Sequence, residues 1–308
     1  MEIYDIIIIG AGPAGLTAGI FALRRELKIL IISKDIGGQM NLAHKIENYP
    51  GFLEISGMEL VEKMRNHYEY LGGEIILDEV IEIDKKDNLF EIHTLYGKKF
   101  LTKTVILAIG RVHRYLGVPG EKELIGRGVS YCYTCDGPFF KNKVVAVVGG
   151  GDSAFRAAEF LSDIAKKVYL IHRRDAFRAE ESIVKKVKKK PNVEFILNSV
   201  VKEIKGKNKV KSIIIENVKT REIKEIKLDG VFIEIGFEVR SEMINKTGIT
   251  TNEKGEIVVD KNCSTNIKGI FAAGDCTNIK HKQIITACAM GAIAALSAYE
   301  YIKGISSS

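Results

Sequence analysis

No run of apolar residues in the chain reaches the length that a bilayer span requires, so the sequence predicts no membrane segment and no membrane partner. A basic leader and a small-residue cleavage site are also missing. Met1 runs almost directly into the strand-like segment Tyr4–Ile9, so no secretory signal is expected and the cytoplasm is the expected location. Tryptophan is absent and glutamine occurs only at Gln39 and Gln283. The five cysteines are an odd number in a long chain, which excludes a secreted disulfide scaffold. Cys263, Cys276 and Cys288 stand alone; Cys132 and Cys135 are the one spaced pair.

The net charge of +7 is not balanced by residues that would stack on bases. The densest basic cluster, Lys185, Lys186, Lys188, Lys189 and Lys190, contains no interleaved aromatic residue and ends at Pro191. It reads as the solvated last turn of a helix, where cations complement the helix dipole, and no nucleic-acid partner is expected.

At 308 residues the chain exceeds the usual size of one core, and two domains are expected. Self-alignment shows one module twice. The segment from Tyr4 through Gly10-Ala-Gly12-Pro13-Ala14-Gly15 aligns without a gap on Lys143 through Gly149-Gly-Gly151-Asp152-Ser153-Ala154. The register continues, with Leu27–Ile32 on Lys166–Ile171, so the second strands end at Ser33 and His172. Each copy reads as strand, glycine turn, helix and strand, the start of a βαβ nucleotide-binding unit. The first glycine permits the turn and the second lets backbone approach a pyrophosphate. The third, or Ala154, allows close helix–strand packing, and the helix N-terminus offers N–H groups to phosphate.

The copies diverge where the nucleotides would differ. The second continues into His172-Arg173-Arg174-Asp-Ala-Phe-Arg178, and arginines at this strand end suit a 2′-phosphate, so this module reads as an NADPH site. The first ends in Ser33-Lys-Asp35 with no acid at the NAD position, followed by Gly37-Gly38-Gln39, which could run against a flat cofactor. Downstream, Gly274-Asp275 repeats the strand-then-glycine pattern. Asp275 could accept a hydrogen bond from the ribityl of FAD, and a helix-like run rich in small residues begins at Gln283. The flavin site is thus split between the two ends of the chain, with the nicotinamide module inserted. The fold class is α/β, two Rossmann-like three-layer domains with boundaries at 1–113, 114–240 and 241–308.

Cys132-Tyr-Thr-Cys135-Asp136 precedes the first strand of the second module. A structural zinc site needs two further ligands at suitable spacing, and no second CxxC or CxxH exists, so no metal is expected. Beside βαβ nucleotide units the redox reading is favoured, with Asp136 placed to handle the proton that accompanies thiol–disulfide exchange.

Together with Glu47-Asn48-Tyr-Pro-Gly51 and Ala272-Ala-Gly-Asp275, these motifs stand in the order and spacing of a known family. The chain resembles the low-molecular-weight thioredoxin reductases over essentially its whole length. The resemblance implies a homodimer, FAD in the discontinuous domain and NADPH in the inserted one. It also implies that Cys135 faces the flavin, that Cys132 attacks the disulfide of thioredoxin or a glutaredoxin-like protein, and that the inserted domain rotates between two tasks. It extends the cofactor set to Asn48, Val80, Gly110, Lys282 and Ile284. Departures from the family pattern are Ile109 for a frequent threonine, Asp152-Ser153 and Arg156 in the second glycine turn, Lys282 for arginine, and Tyr133 for alanine.

Single features count against the other flavoprotein enzymes, and a non-catalytic class stays open. A ferredoxin–NADP reductase needs no Cys132/Cys135 pair, and a small-molecule dithiol oxidase needs no Arg173, Arg174 or Arg178. A hydroperoxide-reductase flavoprotein carries an extra N-terminal carrier domain. A non-catalytic redox-sensing flavoprotein would show no steady turnover.

Overall fold

The computed structural model describes residues 2–43, 46–239 and 242–306. It divides into two compact units, Met1–Val112 with Glu238–Ser308, and His113–Phe237. The sequence set these limits at Arg114 and Arg240; Arg240 lies outside the described residues.

In chain order, the first unit opens with Ile3–Ala11 (β1), Pro13–Leu23 (α1), Ile29–Ile36 (β2), Gly57–Tyr70 (α2), Ile75–Leu77 (β3), Val80–Lys86 (β4), Leu89–Thr94 (β5) and Lys99–Leu107 (β6). Val112–His113 (β7) leads out of it. The second unit holds Val129–Ser130 (β8), the helical turn Tyr133–Asp136 (α3), Val144–Val148 (β9), Asp152–Ser162 (α4), Lys167–Ile171 (β10) and Glu181–Lys188 (α5). Val193–Ile196 (β11), Ser199–Gly206 (β12), Val210–Asn217 (β13), Ile223–Lys227 (β14) and Gly230–Ile233 (β15) complete it. Phe237–Glu238 (β16) leads back to Glu242–Thr247 (α6), Ile270–Ala272 (β17) and Ile284–Ser306 (α7).

The first unit's sheet runs β3-β2-β1-β6-β5-β4. Its β1, β2, β3 and β6 are parallel, whereas β5 and β4 return as an antiparallel hairpin. Besides β1, the long strand β6 serves two partners: residues 99–102 pair with β5, and residues 105–107 pair in parallel with β17. In this way the C-terminal segment completes a sheet begun by the first hundred residues. Ile6, Ile7 and Ile8 of β1 are wholly buried because both faces of a parallel sheet are covered, which is why the strand is a continuous apolar run. The second unit's sheet, β11-β10-β9-β15-β8, is parallel throughout, beside an antiparallel meander β12-β13-β14.

The aligned modules keep one register: Ile9 pairs with Ile32 in the first, and Val148 with Ile171 in the second. The ends of the neighbouring strands correspond as well. Ala108 N–H donates to Ile9 O at 2.8 Å, and Glu234 N–H to Val148 O at 2.8 Å.

The segment Ile284–Gly304 is long and apolar enough to cross a membrane by length and composition. Alanine, glycine and serine make up much of it, and Glu300 and Lys303 lie near its end, so no long aliphatic run marks it in the sequence. In the structure the smallness serves packing against α1: a Cβ on Gly291 would lie 2.1 Å from Ala14 O.

Candidate active site

In the second unit, Cys132 and Cys135 are joined by a disulfide, their Cα atoms 5.3 Å apart. Cys132 caps α3, and the N–H of Cys135 donates to Cys132 Sγ at 3.2 Å. Such a bond favours a thiolate over a thiol at Cys132 once the disulfide is opened. The Cys132 N–H donates to Ser130 Oγ at 3.0 Å, tying the turn to the end of β8. Asp136 follows Cys135 directly, and its N–H closes the turn on Cys132 O at 3.1 Å. Tyr133 stacks edge-on with Phe160 at 5.6 Å. Burial first, and then the charge of Glu234, raises its phenol above the ordinary value.

The other three thiols are out of reach. Burial pushes Cys276 up to about 12 and Cys263 up to about 11, and raises Cys288 as well. Buried thiols with raised pKa values are inert, which leaves Cys132 and Cys135 as the pair with thiol–disulfide reactivity among the described residues. Among the described residues, the group with metal-binding geometry is Glu82, Asp84 and His93, in the other unit. There His93 Nε2 already lies 2.9 Å from Glu91 and 3.2 Å from Asp84.

Each glycine turn can be tested by asking what a Cβ would meet. Gly10 has φ +107°, and a Cβ there would lie 2.3 Å from Ala108 O. Gly149 has φ +153°, with Glu234 O at 2.2 Å. Both positions therefore require glycine. By contrast, Gly12 would meet nothing nearer than 4.0 Å and Gly151 nothing at all. These open faces lie at the N-termini of α1 and α4, neither of which has a side-chain cap. Pro13 has no N–H to satisfy, while Ala14 and Gly15 present theirs at the first turn. Uncapped N–H groups behind an open backbone face suit a pyrophosphate.

At the second module's strand end, His172 lies over Gly150, and Arg178 N–H donates to Gly150 O at 2.9 Å. The His172 ring sits 3.2 Å from Ala176 O; burial, reinforced by Arg173, Arg174 and Arg178, holds its pKa below the usual value. Asp152 accepts from Glu180 N–H at 2.8 Å and so fixes the loop's far end, while Ser153 lies exposed in the first turn of α4 beside it. Ala154 is wholly buried. The three arginines are exposed, and among the described residues none is paired with a carboxylate. Asp175, the acid between them, pairs instead with Lys219 at 2.6 Å. A cationic cluster with its one internal acid drawn aside suits a phosphate.

In the first unit, Ser33 Oγ accepts from Ala11 N–H at 2.9 Å and donates to Asp35 O at 2.6 Å. Its hydroxyl therefore braces two strand ends. Gly38 N–H donates to Asp35 Oδ1 at 2.8 Å, and the amide of Gln39 donates to Arg111 O. Asn48 Nδ2 donates to Gln283 Oε1 at 3.0 Å, bringing the early loop to the start of α7, whose first residue, Ile284, is half-buried. The Val80 side chain is buried in the core, so only its main chain is available to a ligand. Gly110 has φ +60° with no atom near its missing Cβ. Asp275 Oδ2 lies 3.2 Å from Arg111 Nε, a contact that no motif foretold. Lys282 is committed within the protein: its ammonium reaches Asp275 O at 3.1 Å, Thr277 O, and Glu256 Oε1 at 3.0 Å.

Comparison with known proteins agrees over the whole chain. The model of the pyridine nucleotide-disulphide oxidoreductase family matches residues 4–291. The chain is 44% identical over 305 residues to thioredoxin reductase of Treponema pallidum, covering 97% of each. It is also 44% identical to that of Bacillus subtilis, covering 98% of this chain and 96% of the relative. Among solved structures, thioredoxin reductase of Lactococcus lactis in the FR conformation superimposes with a TM-score of 0.83 at 43% identity, covering 98% of this chain and 99% of that one.

Proposed function

Since the chain belongs to the pyridine nucleotide-disulphide oxidoreductases, and within them to the thioredoxin reductases, it uses a pyridine nucleotide and a flavin to reduce a thioredoxin, and we propose that its carriers are NADPH, FAD and the Cys132/Cys135 pair. The observation that carries this reading is the disulfide between Cys132 and Cys135, the only reactive sulfurs among the described residues, in a unit that also presents an open glycine turn and unpaired arginines.

When bound, NADPH would supply two electrons as hydride to FAD, and FAD would pass the electron pair on to the chain's disulfide. The residues do the rest. In the second unit, Gly149 and Gly151 admit the pyrophosphate and Arg173, Arg174 and Arg178 hold the 2′-phosphate. In the first unit, Gly10, Gly12 and Gly15 admit the second dinucleotide, and Asp275 accepts from its polyol.

Reduction of Cys132–Cys135 breaks the S–S bond and takes up two electrons. Asp136 is positioned in sequence to hold the proton that accompanies them. The Cys132 thiolate then attacks one sulfur of thioredoxin's disulfide, forming a mixed disulfide and releasing the other sulfur as a thiolate. Cys135 attacks Cys132, the mixed disulfide breaks, and the Cys132–Cys135 bond returns with both electrons left on the partner. The working assembly is a homodimer in the cytoplasm, testable by light scattering and fractionation. A glutaredoxin-like protein is the second candidate substrate.

Serine substitutions test the relay. Cys135→Ser leaves NADPH able to bleach the flavin but abolishes reduction of thioredoxin. Cys132→Ser also stops turnover, and it leaves the Cys135 thiolate able to produce long-wavelength absorption with oxidised flavin. Retained turnover in either variant contradicts the relay, and that absorption in Cys135→Ser alone reverses the two roles.

A further inference from the structure

Arg111 lies outside every motif that carried the family resemblance, directly after Gly110. Its Nε is 3.2 Å from Asp275 Oδ2, across 164 residues of sequence, and both side chains are only a quarter exposed. Its own carbonyl accepts from the Gln39 amide. One residue therefore ties the Gly38–Leu42 turn to the Gly274-Asp275 strand end, the two loops assigned to the flavin. Asp275 Oδ1 has no hydrogen-bond partner among the described residues, so the pair leaves one carboxylate oxygen available to a ligand.

We propose that Arg111 is a positioning residue for the flavin: it holds the Asp275 carboxylate fixed through Oδ2, leaving Oδ1 as the acceptor for a polyol hydroxyl. This rests on the FAD reading above. An exposed ion pair contributes little, but one that is three-quarters buried and hydrogen-bonded orients its acceptor before the ligand arrives, and preorganisation is recovered as affinity. The second consequence is electrostatic. Without Arg111 the carboxylate charge is uncompensated, which disfavours the added negative charge of a reduced flavin.

The test is titration of flavin-stripped protein with FAD, followed by fluorescence quenching. Arg111→Ala is expected to weaken binding about tenfold, the size of one hydrogen bond to a charged group. Arg111→Lys, which keeps the charge but loses the planar fork, is expected to recover part of that loss. Asp275→Asn weakens binding too, and adding Arg111→Ala to it costs little more, because the two act through one contact. Reconstituted Arg111→Ala also shows a more negative flavin midpoint potential, which a merely structural role would not produce. Unchanged or tighter FAD binding by Arg111→Ala, or fully additive losses in the double variant, overturns the proposal while leaving the FAD reading intact. A wild-type protein that fails to bind FAD defeats both. Binding of adenosine 2′,5′-bisphosphate, which should be the same in every variant, confirms that each is folded.

Discussion

The two glycine modules share a backbone course and differ at three places that bear on what each can hold. In both, the first glycine presses on the carbonyl that ends the neighbouring strand, Ala108 in one and Glu234 in the other, at nearly the same distance. The differences come at the third turn position, Gly15 against Ala154; at the strand end, Ser33 against His172-Arg173-Arg174; and at the neighbouring strand end, Ala108 against Glu234. What is shared makes a site for a pyrophosphate. What differs decides which dinucleotide each turn suits and how its unit responds to pH.

The largest effect comes from breaking the packing difference. A Cβ on Gly15 would lie 1.8 Å from Gly10 O, which the turn cannot yield without moving the face offered to phosphate. Gly15→Ala is expected to lower FAD affinity about a hundredfold or more, from overpacking of roughly 1–3 kcal/mol plus the displaced turn. The reciprocal Ala154→Gly removes one buried methyl and adds backbone freedom. It should cost about 1–2 kcal/mol of stability and leave NADPH binding nearly intact. Equal tolerance at both sites, measured by isothermal titration and thermal melting, would break the comparison.

Next is the strand end. Arg173→Ala with Arg174→Ala is expected to raise the KM for NADPH roughly ten- to a hundredfold, since hydrogen bonds to a charged group contribute about 1.5–3 kcal/mol each. NADH lacks the 2′-phosphate, so its kinetics should hardly change, and the NADPH effect should shrink at high salt because the arginines are exposed. Equal losses for both cofactors would mark the pair as structural.

The smallest effect is at Glu234. Burial pushes its carboxyl up to about 7, from 4.5. Between those values the folded protein binds more protons than the unfolded chain, so rising pH removes stability across that window and no more above it. Glu234→Gln removes the penalty. The variant should match the wild type near pH 4.5 and melt higher by roughly a few degrees near pH 8. A melting-temperature gap that does not grow with pH contradicts this.

The parts of the site legible in the sequence obey local rules. Glycines at turn spacing and two cysteines three apart are read from neighbours in the chain, and the repeat itself set the register. Longer-range features were hidden. The Arg111–Asp275 and Asn48–Gln283 contacts join residues 164 and 235 positions apart, and no spacing rule reaches that far. Lys282 stood beside the flavin on resemblance, whereas its ammonium is held by Glu256 and two carbonyls. The divided pairing of β6 was likewise invisible, because a strand's sequence does not state how many partners it serves.

The central claim is that two electrons pass from NADPH through FAD to Cys132/Cys135 and on to a thioredoxin, and anaerobic stopped-flow absorbance on the holoprotein tests it most directly. The flavin should bleach on mixing with NADPH, with NADH far less effective, and its colour should return when oxidised thioredoxin is added in a second mix. Flavin that NADPH cannot bleach, or bleached flavin that thioredoxin cannot reoxidise while oxygen can, would contradict it.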